Sequence, residues 1–148
     1  MDKEALKGAM EKVLMRQAER ERLRSLVLSV LAGHIGSHNA IGMGELYEEV
    51  FGEPWHNRIN DTRAIRQIIT DLRSEGVPIC SVTSQDGGGY YLAAAGSELA
   101  DYLRRAERRA LKILKRNAQI KKISLPDYLG QLRLNMVAHP ESGNGEAA

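Results

Sequence analysis

The chain has 148 residues, 21 Lys or Arg against 19 Asp or Glu, and 43% hydrophobic with 27% charged residues, which suits one folded domain with appendages and gives no ground for general disorder. No apolar run reaches the roughly 18–20 residues of a bilayer span, and the Met1-Asp2-Lys3-Glu4 start is charged where a secretory leader turns apolar. A single cysteine, Cys80, excludes an internal disulfide and fits a reducing compartment, so a cytoplasmic protein with no membrane association is expected.

From Asp2 to about Ala32 the sequence is rich in helix formers and free of proline. Its second half, with Leu23, Leu26, Val27, Val30 and Leu31, reads as a core helix. Its first half has a thinner stripe, Leu6, Met10, Val13 and Leu14, on a Lys, Arg and Glu surface, and reads as an N-terminal helical extension over residues 1–21. It is either a partner-docking arm or a frayed solvated helix. Gly33 to Gly42 is dense in turn residues and ends the helix, with Ile41 in a short strand. Met43 to Phe51 then makes a short helix burying Leu46, Val50 and Phe51, closed by Gly52-Glu53-Pro54.

The next stretch, Arg58 to Glu75, organises the chain. Asn60 or Asp61 can cap a helix of about four turns and Gly76 can end it before Pro78. At 100° per residue Ile65, Ile68, Ile69 and Leu72 fall on one side, while Arg63, Gln67, Thr70 and Ser74 centre the other, flanked by Arg66 and Arg73. The apolar side suits a core. The polar side carries the guanidinium, amide and hydroxyl groups that read base edges in a major groove.

After Gly76 the period changes. Pro78–Thr83 and Tyr90–Leu92 read as strands, and Ser84 to Gly89 as the glycine-rich turn of a hairpin. That turn lacks the Lys-Ser or Lys-Thr and the following helix of a phosphate-binding loop. Ser97 opens a long helix in which Leu99, Leu103, Ala106, Ala110, Ile113, Asn117 and Ile120 alternate steps of four and three, the seam of a possible homodimer. Arg104, Arg105, Arg108, Arg109 and Lys112 sheathe it. Ser97 to Lys122 holds nine basic residues against three acids, a net of +6, whereas Gly33 to Asn57 has Glu45, Glu48, Glu49 and Glu53 and no Lys or Arg. Such asymmetry suggests a basic surface for a polyanion and an acidic face turned elsewhere. Beyond Pro126 lies a short apolar segment, and residues 139–148 have the composition of a disordered tail.

Asn60-Asp61-Thr62-Arg63-Ala64-Ile65-Arg66, the Leu72 to Ile79 passage and Gly89-Tyr90-Tyr91-Leu92 together resemble winged helix-turn-helix DNA-binding domains, most closely bacterial and phage regulatory or replication proteins. The resemblance covers about Arg22 to Ala95. It implies a mainly α fold with a small β-hairpin: a winged domain at 22–95, a long basic helix at 96–122 and a tail segment at 123–148. It also implies binding of double-stranded DNA in transcription control or replication initiation. Base contacts would fall to Arg63, Arg66 and Gln67. Thr70 would sit near a phosphate or a thymine methyl, Thr62, Arg58 and His56 at the helix entrance would grip the phosphate backbone with the amides of the helix N-terminus, and Arg73 would flank the face. Two features run against ordinary docking. The wing tip Gln85-Asp86-Gly87 has no cation, and the helix before the reading helix is acidic. The alternative is a replication adaptor, since Gln131-Leu132-Arg133-Leu134 resembles part of a clamp-binding peptide, although Asn135 and Met136 replace its aromatics. His34, His38 and Cys80 fall short of a metal site, and no nucleophile, base or cofactor motif is present, so neither enzyme activity nor a cofactor is expected.

Overall fold

A computed structural model describes residues 2–84 and 87–138. The fold is mainly helical with one small antiparallel sheet. It comprises two compact units, Met1–Tyr102 and Leu103–Ala148. No described helix is long and apolar enough to cross a membrane. The expected wing tip at Gln85 and Asp86 and the expected tail lie outside the described residues.

In the first unit, α1 (Lys3–Ala32) is continuous over 30 residues, about 45 Å. It is followed by a 3-10 turn, β1 (Ile41–Gly42) and α2 (Met43–Phe51). Gly52 takes a φ of 76° to end α2. The single long helix expected from Asn60 is instead two. A one-turn α3 (Arg58–Asp61) is separated at Thr62 from α4 (Arg63–Ser74). The cap is Asn57, whose Oδ1 accepts from the amides of Ile59 at 3.1 Å and Asn60 at 3.0 Å. The Asp61 carboxylate closes the turn from below by accepting from the amides of His56 and Asn57, both at 2.8 Å. At the far end Gly76, with φ 93°, permits the Gly76 amide to reach the Arg73 carbonyl and Val77 to reach Leu72, a Schellman stop.

The four apolar residues of α4 are buried as their spacing requires, against Val27 and Leu31 of α1, Leu46 and Val50 of α2, and Ile79. β2 (Ile79–Ser84) pairs with β3 (Gly87–Leu92), and β1 adds a third strand on the far side of β3, giving the order β1-β3-β2. Gly88 and Gly89, expected in the turn, are strand residues. A Cβ on Gly88 would come within 2.8 Å of the Val82 carbonyl oxygen, and one on Gly89 within 3.1 Å of the Ile41 oxygen. They are there so that three backbones can close up.

The amide donors of Asn57 and then His56 hold the Asp61 carboxyl below its ordinary pKa, against a smaller opposing effect of burial. A depressed carboxyl stabilises the fold above its unfolded pKa of about 3.9, and that stabilisation is lost as pH falls through the folded value. Asp61→Asn is therefore expected to lower the melting temperature at neutral pH and to flatten its decline below about pH 4. Melting curves across that range check this. A parallel decline in both proteins would remove Asp61 from the turn's electrostatics.

The second unit holds most of α5 (Gly96–Lys121) and α6 (Leu125–Ala138). Lys122, at φ 55°, ends α5. Ser124 starts α6: its hydroxyl donates to Asp127 at 2.6 Å and accepts from the Asp127 amide at 3.2 Å. Among the described residues of this unit Ala118 and Tyr128 are buried, with Lys121 over the Tyr128 ring.

Candidate nucleic-acid interface

The outward face of α4 is a product of its core face. Burying Ile65, Ile68, Ile69 and Leu72 turns Arg63, Arg66, Gln67 and Thr70 to solvent. Arg63 is exposed, and no side-chain hydrogen bond ties it to a described residue. Arg66 is exposed but reaches back, its Nη2 donating to the Ile59 carbonyl at 2.7 Å. Gln67 donates one amide proton to Asp71 at 3.0 Å and keeps the second proton and its oxygen, the pair needed for adenine. Thr70 spends its only hydroxyl proton on the Arg66 carbonyl at 2.9 Å. In that state it cannot donate to a phosphate, so only its methyl and its lone pairs face outward.

Two residues expected in this face lie inside the domain. Thr62 is 2% exposed, with its hydroxyl donating to the Arg58 carbonyl, because the break between α3 and α4 turns it inward. Arg73 is half-buried. Its Nε donates to the Ile79 carbonyl at 2.8 Å and its guanidinium lies 5.8 Å from the ring centres of both Tyr90 and Tyr102. It braces α4 against the sheet and the start of α5.

Sequence reasoning missed the partner of the opposite edge of α4. Arg20 and Arg24 of α1 form ion pairs with Asp71 and Glu75, around an open cavity of about 460 Å³. Burial acts to raise the Asp71 pKa. The Gln67 and Arg20 hydrogen bonds and the charges of Arg20 and Arg24 outweigh it, and the carboxyl sits below its ordinary value. The i, i+4 spacing of both pairs was in the sequence, but nothing there aligned the two helices.

On the sheet side a cleft of about 290 Å³ separates α4 from the hairpin, lined among others by Arg58, Arg66, Ser81, Thr83 and Tyr90. Arg58 is exposed at its rim. On α2, Glu45, Glu48 and Glu49 are exposed while Leu46, Tyr47 and Val50 are buried; Phe51, expected inside, is exposed at the helix end beside the Tyr47 ring. In the second unit, Arg105, Arg108, Arg109 and Lys112 are exposed along α5, and Arg104 is exposed as well. Of the seam residues, Leu99 and Ala106 are half-buried, and Leu103, Ala110, Ile113 and Ile120 are exposed. Asn117 reaches the Tyr128 hydroxyl of α6 at 3.5 Å. On α6, Gln131 and Leu134 are exposed and Leu132 is half-buried, in a helix. Among the described residues no group of three His, Cys, Asp or Glu is placed to hold a metal ion, and His34 bonds instead to the Asn39 carbonyl at 2.8 Å.

Comparison with family models, with curated proteins and with solved structures finds no match to this chain.

Proposed function

We propose that the chain is a DNA-binding protein of winged helix-turn-helix type, acting in transcription control or replication initiation. In this reading α4 reads the major groove and the basic stretch of α5 supplies affinity. The observation that carries the reading is the two-faced α4: four apolar residues anchored in the core and an outward face of Arg63, Arg66, Gln67 and Thr70. The element order supports it, since the polar-faced helix follows a short helix and precedes a strand hairpin. Arg58, exposed at the rim of the cleft between α4 and the hairpin, supplies a cation for a phosphate there. Within the face, Arg63 is the leading reader of guanine, because Arg66 is partly committed to Ile59.

The test is selection of bound sequences from a random duplex library at two salt concentrations, followed by Arg63→Ala on the selected and on a random duplex. Removing a bidentate base contact costs about 1–3 kcal/mol of discrimination, roughly 5- to 150-fold on the selected site. The random duplex should lose far less. Equal losses on both would remove base reading from Arg63. Failure to retain any duplex would favour the adaptor reading, for which the exposed carboxylates of α2 are the supporting feature.

A further inference from the structure

Gln67 stands on the outward face of α4, yet a carboxamide on a long side chain is a poor reader of bases unless its rotation is fixed. A half turn about its last carbon bond exchanges acceptor for donor. Adenine suits only one of the two settings, because it offers the N6 amino donor beside the N7 acceptor. In the other setting the NH2 group faces the place where guanine carries its O6 acceptor.

The amide is locked from one side. Gln67 Nε2 donates to Asp71 Oδ1 at 3.0 Å, one turn further along α4. The other oxygen of Asp71 accepts from Nη2 of Arg20 on α1. A carboxylate paired with a guanidinium is ionised and can only accept, so it binds the amide nitrogen and never the amide oxygen. Of the two protons on that nitrogen, one lies on the edge shared with Oε1 and the other points back toward the stem. Adenine needs the first, and Asp71 can take the second without disturbing that edge. Gln67 and Arg20 also line one groove of about 280 Å³ between α1 and α4, with Leu23, Ala64 and Ile68 beside them.

We propose that Asp71, held by Arg20, is a positioning residue for base reading: it sets the Gln67 amide for adenine and makes α1 part of the recognition apparatus. This rests on the reading of α4 as the major-groove helix. It adds that one position of the recognised site is adenine, and that the choice of adenine depends on a helix that itself touches no base. Glu75, paired with Arg24, carries the same charge one turn on and makes no bond to Gln67, so it separates positioning from charge.

Two measurements on the full chain test it. The first needs no DNA: nitrogen relaxation of the Gln67 side-chain amide, identified by its absence in Gln67→Ala, is expected to show a rigid NH2 group in the parent. It should become mobile in Asp71→Asn and in Arg20→Gln and stay rigid in Glu75→Gln. The second uses the duplex selected from the random library. The position whose preference Gln67→Ala abolishes should be adenine, and 7-deazaadenine there, lacking the N7 acceptor, should weaken binding of the parent by roughly tenfold. Asp71→Asn should cut the preference for adenine over guanine at that position by roughly tenfold, and Glu75→Gln should leave it unchanged. In a Gln67→Ala background, Asp71→Asn should have no further effect on preference. A structural role alone would weaken binding to every duplex equally and leave the ratio of the two bases in place. A mobile amide in the parent, or an equal loss of preference in Glu75→Gln, would overturn the positioning role and leave the reading of α4 intact. So would a selected motif that Gln67→Ala does not change. Retention of no duplex would overturn the reading of α4 itself, and the adenine assignment with it, whatever the amide does.

Discussion

Changing Arg105, Arg108, Arg109 and Lys112 together to glutamine is expected to lower the salt dependence of duplex binding, reducing the slope of log affinity against log salt by about 3.6. Each phosphate that the protein no longer neutralises takes about 0.9 from that slope. The reasoning starts from exposure: all four side chains are in solvent on one helix of net positive charge. Between about 50 and 200 mM salt, four neutralised phosphates correspond to roughly a hundredfold change in affinity. At low salt the variant should therefore bind much more weakly than the parent. Sequence preference should survive, because α4 is untouched. Arg63→Ala should do the reverse, relaxing preference while leaving the slope nearly intact. An unchanged slope in the quadruple variant would take the affinity role away from α5.

Leu72→Ala should destabilise the first unit by about 2–5 kcal/mol, the range for deleting a fully buried leucine side chain. Leu72 is fully buried, it belongs to the cluster that joins α1, α2 and α4, and its carbonyl takes the Val77 amide at the end of α4. Against a total stability of about 5–15 kcal/mol, that is a large share. Ile113→Ala, on an exposed stretch of α5, should stay within about 0.5 kcal/mol. Denaturant unfolding of the two variants compares them. A loss below about 1 kcal/mol for Leu72→Ala would mean that the site collapses around the deletion or that the core is looser than its burial implies.

The parts of this fold that a single segment determines were legible in the sequence. The four apolar residues of α4 repeat with the helical period, and Gly76 marks a left-handed stop, so both could be placed without knowledge of any other element. What depends on a second element was not legible. Thr62 has the chemistry of a phosphate contact and of an inward hydroxyl alike, and only the break after Asp61 decides between them. Arg73 flanks the reading face in sequence, yet Tyr90 and Tyr102, 17 and 29 positions later, draw it inward. Gly88 and Gly89 advertise a turn when they are needed for the approach of neighbouring strands. The Asn57 cap was hidden by Asn60 and Asp61, which stand closer to the apolar run and are equally able to cap. The helix α6 was readable in part from Ser124-x-x-Asp127, but Leu132, Leu134 and Met136 step by two as in a strand, so its apolar residues did not fix helix against strand.

The ion pairs from Arg20 and Arg24 to α4 also act as an electrostatic shield. Asp71 and Glu75 stand on the edge of a helix whose proposed partner is a polyanion, and uncovered they would repel it. With α1 seated, each carboxylate is answered by a guanidinium, and the edge of α4 is close to neutral. Any event that lifted α1 off α4 would both loosen the core and turn two negative charges toward the proposed polyanion.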